Sequence, residues 1–286
     1  VRSEHYSDFG DTTNGKLSLR YDFTPQIAAR GSISSGYRAP SLVQSGLSSF
    51  SVQVVEQPTG SGNWVEVQQR TLRADSRQVQ AGDGFLAWPG AATDARRFVP
   101  SWDEPSRKAV FALEAIVPEG RMALSNMPEV ASQSLGGGLK KVRFAPTPKM
   151  SSYLLFFGLG DLERRITKVG DVEVGVVTKR GDLEKGQIAL DDAAKILVEF
   201  NDYFGTPYPL PKLDNLAVPN GGGFGAMENW GAILYFERVL LLDPLRSNEA
   251  DRQNVYSVVA HEVAHQWFGD LVTMAWWDDI WLNEGF

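Results

Sequence analysis

The stretch His261-Glu262-Val263-Ala264-His265 constrains this chain more than any other. The sequence holds three histidines, and two of them stand here, four residues apart. A helix turns once per about 3.6 residues, so both imidazoles project from one face. Two imidazoles at that spacing can grip one zinc ion, which takes nitrogen and carboxylate ligands in a tetrahedral shell. Glu262, beside the first ligand, is placed to take a proton from metal-bound water. A third protein ligand must join while one position stays open. Glu284, separated from His265 by 18 residues within Trp281-Leu282-Asn283-Glu284-Gly285-Phe286, is the candidate. The pentapeptide alone also admits a histidine pair on an ordinary amphipathic helix. The preceding residues 254–260 are apolar enough for a buried helix, and buried histidines need partners, of which a metal is one.

A second motif, Gly225-Ala226-Met227-Glu228-Asn229, follows the glycine run Gly221-Gly222-Gly223. With these two motifs in this order, the sequence resembles the zinc aminopeptidases of the membrane alanyl aminopeptidase type, gluzincins with a thermolysin-like catalytic domain. The resemblance extends through Ala95-Arg96-Arg97-Phe98-Val99-Pro100-Ser101-Trp102-Asp103-Glu104-Pro105, Ala123-Leu124-Ser125-Asn126-Met127-Pro128 and Lys149-Met150-Ser151-Ser152-Tyr153-Leu154, so it covers roughly residues 90–286. It implies one Zn²⁺ on His261, His265 and Glu284, with Glu262 as general base and then acid. It implies peptide substrates with a free N-terminus. Glu228 would hold the substrate ammonium by a charge-assisted hydrogen bond, with Gly225, Ala226, Met227 and Asn229 in the same binding motif. The family's oxyanion-stabilising tyrosine lies downstream of the third ligand and has no counterpart in these residues. Loss of such a donor costs about 10²–10³ in rate, so little or no turnover is expected of this polypeptide alone.

Residues 1–82 read differently. Lys16–Phe23 alternates polar and apolar residues, Thr24-Pro25 makes a turn, and Gln26–Ser35 alternates again. Strands of that length and alternation suit an outer-membrane barrel hairpin, although a soluble hairpin has the same pattern. Tyr21-Asp22-Phe23-Thr24-Pro25, Ser34–Leu42 and Thr71–Ser76 resemble the barrel of a TonB-dependent outer-membrane receptor. The expected organisation is therefore chimeric, with a seam near Ala81-Gly82-Asp83-Gly84. A hairpin cut from a barrel should sit loosely on the surface.

The expected fold class is α+β and multi-domain. After the extra N-terminal β-hairpin segment over 1–82 comes a β-sandwich domain over 83–183, then the first half of a thermolysin-like domain over 184–286. Lys108–Pro118, Lys141–Phe144, Ser152–Gly158 and Val172–Val177 read as strands of the sandwich, and Gly136-Gly137-Gly138 as a turn. Missing strands of its first half should leave open sheet edges. Trp102-Asp103-Glu104-Pro105 reads as a structural turn with a buried tryptophan. Residues 188–204 have helical apolar spacing and end at Gly205. Lys212–Pro219 reads as a strand, and Ala226–Phe236 as one edge strand that a peptide could extend. Ser247 or Asn248 should cap the zinc helix, which Gly269 ends, and Asp278 should cap a helix carrying Glu284.

The net charge of −7 argues against nucleic acid as the main partner. Without cysteine, neither disulfides nor thiol chemistry can be invoked. No apolar run is long enough for a transmembrane helix, and membrane contact would follow only from a native receptor-like segment. That segment hints at a Gram-negative source, with the periplasm favoured over the cytoplasm. Two other readings remain: a zinc epoxide hydrolase built on the same metal motif, and an outer-membrane receptor fragment that binds or transports.

Overall fold

The computed structural model describes residues 101–218 and 225–285, and within residues 1–89 the backbone of eight strands. These are β1 (Arg2–Tyr6), β2 (Gly10–Asn14), β3 (Lys16–Thr24), β4 (Ile27–Ser34), β5 (Ser49–Glu56), β6 (Val65–Leu72), β7 (Gln80–Gly82) and β8 (Phe85–Pro89). The hairpin read from alternation is present as the antiparallel pair β3–β4. The seam residues Asp83 and Gly84, the end of the Ser34–Leu42 motif, and residues 73–76 lie outside the described residues.

β9 (Val110–Pro118) buries every second residue, as its period-two pattern requires. β10 (Met122–Ser125), β11 (Glu129–Gly136), β12 (Leu139–Phe144) and β13 (Phe156–Gly160) follow. The turn at Gly136-Gly137-Gly138 has positive φ at all three residues, a conformation only glycine adopts cheaply. Two sheets result, of order β10-β13-β8-β7 and β11-β12-β9-β5-β6. The edge of β9 expected to be open is therefore occupied: β5 pairs with it antiparallel from Ser49↔Ile116 to Val55↔Val110.

Two local expectations need correction. The Ser152–Gly158 run is not one strand: Ser152–Leu154 form a 3₁₀ turn before β13. The serines explain it, since Ser151 Oγ donates to Pro105 O at 2.5 Å and Ser152 Oγ to Trp102 O at 2.8 Å. Trp102 itself is 46% exposed, so the Trp-Asp-Glu-Pro turn is held by its carbonyls rather than by a buried ring.

A third sheet, of order β14-β15-β16-β18-β17, carries β14 (Leu162–Val169), β15 (Val172–Lys179), β16 (Lys212–Val218), β17 (Ala226–Met227) and β18 (Ala232–Phe236). Val172–Val177, read as the last sandwich strand, pairs with β16 in this sheet instead. β16 is parallel to both neighbours and buried throughout, as a central parallel strand should be. Helix α1 (Gln187–Tyr203) crosses from β15 to β16 and ends at Gly205, φ 63°. α2 (Glu237–Leu240), α3 (Glu249–His265) and α4 (Trp281–Glu284) follow. One apolar core runs from Phe111 and Val142 through Leu154 to Ile196, Tyr235 and Val259, joining the first sheets to the third sheet and its helices.

Asn126 is the polar pin of that junction. Its Nδ2 donates to Leu154 O at 2.8 Å and Trp230 O at 2.9 Å, and its Oδ1 accepts from Phe156 N at 2.8 Å. Truncation would orphan three buried backbone groups, each worth about 1–3 kcal/mol. Asn126→Ala is expected to lose about 3 kcal/mol or more, read as a lower urea midpoint at unchanged slope.

Candidate metal centre

Helix α3 opens on Asn248, whose side chain accepts from Ala250 N and Asp251 N while Asp251 returns a bond to Asn248 N, a reciprocal capping box. The expected cap at Asn248 is therefore present. The helix buries one stripe, including Val255, Val259 and Val263, rather than the whole segment before His261. It closes at His265, and Gly269 lies three residues beyond Gln266, in the loop that follows.

That end brings the ligands together. His261 Nε2 and His265 Nε2 lie 3.0 Å apart, and Glu284 Oε2 lies 3.4 Å from the first and 3.6 Å from the second. Zinc-to-nitrogen bonds of about 2.0–2.1 Å in a tetrahedron place ligand atoms about 3.3 Å apart. The observed triangle has the spacing that His261, His265 and Glu284 would need to hold one zinc ion. His265 Nδ1 is 3.0 Å from Phe268 O, which fixes Nδ1 as the protonated nitrogen and leaves the Nε2 lone pair for metal. Burial, then the neighbouring His265, lowers the pKa of His261 and keeps it neutral and available.

The carboxylates Glu228 and Glu262 share a second cluster with His265, all ligand atoms lying within 4.8 Å of one another. Glu262 is buried and its Oε2 has no hydrogen-bond partner among the described residues. Burial, reinforced by Glu228 and Glu284, pushes its carboxyl well above the usual range. Glu228 is raised as well, burial being the main cause. Such an oxygen, orphaned beside a metal triangle, suits the exchange of a proton with water.

The expected edge strand is interrupted. β17 holds only Ala226 and Met227, antiparallel to Tyr235 and Leu234 of β18, and a turn at Glu228–Gly231 follows. Ala232 N donates to Asn229 O, and Gly231 adopts φ 77°, where an added Cβ would lie 2.7 Å from Asn126 O. Glu228 thus stands just past the sheet edge. Gly225 lies at its start and its carbonyl accepts from Phe236 N, while the Asn229 side chain is fully buried without a hydrogen-bond partner among the described residues. The glycine run 221–223 lies outside the described residues. Asp278 does not cap the Glu284 helix: it lies inside a 3₁₀ turn, Trp277–Asp279, and α4 begins after Ile280 without a side-chain cap.

Sequence reasoning missed three supports. Gln266 Nε2 donates to Glu228 O at 3.1 Å, while its Oε1 accepts from Gly231 N at 3.0 Å, binding the Glu228 turn to the metal helix. Tyr153 reaches the loop after the helix, and its only sequence signal was membership of a motif quoted for resemblance. Asp270 is buried with neither carboxylate oxygen hydrogen-bonded among the described residues.

Comparisons with known proteins bear on the family of this chain. Residues 188–286 match the peptidase family M1 domain and residues 89–154 the peptidase M1 N-terminal domain. Residues 1–82 match the TonB dependent receptor-like beta-barrel. The chain is 49% identical over 193 residues to aminopeptidase N of Acetobacter pasteurianus, covering 68% of this chain and 54% of that protein. It is 51% identical over 197 residues to aminopeptidase M1-B of Oryza sativa subsp. japonica, and 44% identical over 197 residues to glutamyl aminopeptidase of Mus musculus. Each covers 68% of this chain, but only 22% and 20% of those proteins. The chain thus spans about half the length of the first of these relatives and about a fifth of the others. Among the described residues no helix is long and apolar enough to cross a membrane.

Burial is the chief cause of the raised Asp270 pKa, with Glu228 adding to it and Lys108 opposing. A carboxyl raised in the folded state costs nothing while protonated; its penalty grows as pH climbs from the unfolded value toward the folded one. In chelator-treated protein, Asp270→Asn is expected to gain melting temperature over the parent progressively from pH 4 upward. A pH-independent difference would assign Asp270 no such burden.

Proposed function

Because residues 89–286 belong to the peptidase M1 family, we propose that this segment is the metal-binding core of a zinc aminopeptidase, cleaving residues from peptide N-termini. The observation that carries the reading is the 3.0–3.6 Å triangle of His261, His265 and Glu284 with the Glu228 and Glu262 carboxyls beside it. Bound zinc would polarise the scissile carbonyl and acidify a water. Glu262 Oε2, buried and unpartnered, would take the water's proton and return it to the leaving amine. β17 offers a two-residue edge along which a peptide can lie extended. The Glu228 carboxylate would meet the free ammonium at the end of that edge and stop the chain from running further, which favours exopeptidase action. The names of the relatives support the same substrate class.

The finer architecture belongs to the same proposal: a β-sandwich built from the two sheets that share β8–β13, followed by a thermolysin-like half containing β14–β18 and α1–α4. The family matches support a junction of two unrelated segments, since one match ends at residue 82 and the next begins at 89. Sequencing the source DNA across that interval tests it; one open reading frame found repeatedly would exclude an artefact of joining.

The amine anchor can be tested by binding. The zinc-loaded chain is expected to bind alanine hydroxamate at least about 10-fold tighter than its N-acetyl derivative, the scale of one charged hydrogen bond. Glu228→Gln should erase most of that preference while retaining about one zinc per chain. Equal binding of both compounds by the parent protein would overturn the aminopeptidase reading.

A further inference from the structure

The third ligand is carried on a poor support. α4 is a single turn of four residues, far below the length at which an isolated helix is stable, and it lacks a side-chain cap. Trp281 and Leu282 are exposed, and Asn283 is the one buried residue of the turn. Something outside that turn must therefore fix the position of Glu284.

The β-rich domain before the catalytic sheet supplies it. Tyr153 Oη donates to Gly269 O at 3.1 Å, and the Asn283 side chain hydrogen-bonds the same hydroxyl. The Tyr153 ring packs edge-on against Trp277, with centroids 5.2 Å apart. Trp277 Nε1 donates to Asp103 O at 3.1 Å. Lys108 Nζ donates to Asp270 O at 3.0 Å and Leu271 O at 3.1 Å. The loop from Gln266 to Glu284 is thus tied at its start, middle and end to residues before β14. Tyr153 itself is held from behind, because Ser151 and Ser152 at the start of the turn bond Pro105 O and Trp102 O. On the other flank, a Cβ at Gly269 would meet Asn283 Nδ2 and His265 Nδ1 at 3.4 Å each, so tyrosine, amide and metal-binding imidazole are packed without slack.

We propose that Tyr153 is a positioning residue for the metal: through Asn283 and Gly269 it sets the third ligand, so the N-terminal domain governs how tightly the catalytic half holds zinc. This rests on the zinc site proposed above. Partners that orient ligands without touching the metal are worth about 10–100-fold in metal affinity. The hydroxyl, rather than the ring, carries the bond to Asn283, while the ring carries the packing on Trp277.

Competition of the full chain with a chromogenic chelator reads the zinc affinity. Tyr153→Phe, which keeps the ring, is expected to bind zinc about 10–100-fold more weakly, and Asn283→Ala similarly. The double variant should be little worse than either single one, because both break one linkage. Ser125→Ala serves as the control: it removes a buried hydroxyl bond to Phe156 O in the same domain without touching the loop, and should leave zinc affinity within about twofold. The cobalt(II) absorption bands report ligation independently, and those of Tyr153→Phe should move toward those of Glu284→Gln. Parent-like affinity and spectrum in Tyr153→Phe, or an equal loss in Ser125→Ala, would overturn the proposal while leaving the metal site standing. Failure of the parent chain to bind zinc would overturn both.

Discussion

Acidic crowding around two imidazoles is the constraint on which the rest of the structure depends. Glu228, Glu262 and Asp270 are raised chiefly by burial; Glu284 adds to the first, Glu228 and Glu284 to the second, and Glu228 and Glu262 to the third. Like charges in a low-dielectric pocket cannot all ionise, so either protons or a cation must balance them. A divalent ion held by His261, His265 and Glu284 would supply that balance and free Glu262 to exchange its proton. Glu284 works the other way on His261, whose pKa is lowered by burial and by the neighbouring His265. The acidic crowding also gives Lys108 a reason to approach Asp270, although burial of that lysine works against its own charge.

The pocket holds its shape because its walls come from distant parts of the chain and are bound by backbone carbonyls. Gln266 ties the end of α3 to the Glu228 turn, Asn126 ties that turn to β13 and the 3₁₀ turn before it, and Tyr153 ties the 3₁₀ turn to the loop carrying Glu284. Each link uses an amide or hydroxyl to satisfy buried backbone groups that loops would otherwise leave unpaired. The ring of contacts closes on itself, so displacement of any one wall is felt at the metal. Packing beneath it is aromatic: Trp267 lies against Phe200, Phe204 and Tyr208, fixing α3 against α1.

What was legible in the sequence was what has a period or a fixed spacing. Alternation located β9, β12 and the β3–β4 hairpin; helical spacing located α1; the pentapeptide and Glu284 located three side chains whose ligand atoms converge. The failures have one cause. β14, with mixed charges over Leu162–Val169, has no clean alternation because Arg164 turns inward to Asp214 and Glu173. β11 is exposed along its length and so has no apolar face to read. The break of the Ala226–Phe236 run is set by Trp230 and Gly231 against Asn126, and the Asn126–Trp230 bond spans 104 residues, which no local window contains. Tyr153, Gln266 and Asp270 are ordinary residues until the fold places them.

The pairing of β5 with β9 shows how little sequence identity a sheet edge demands. β9 presents its apolar alternation to the core, and its hydrogen bonds to β12 satisfy only one side of its backbone. The other side is a row of donors and acceptors that accepts extended chain of suitable length. Seven residues of β5 from Ser49 to Val55 meet that requirement, although they fall within the stretch that matches an unrelated receptor barrel. Barrel strands and sandwich strands share the same pleat and the same spacing, so backbone complementarity alone can join them. Specificity then has to come from the strands that lead into the site. β13 leads back to Tyr153 and β10 runs on to Asn126, and both belong to the segment that matches the peptidase family or abuts it. A strand from the receptor-like stretch can therefore pair into a sheet without contributing to the chemistry beyond it.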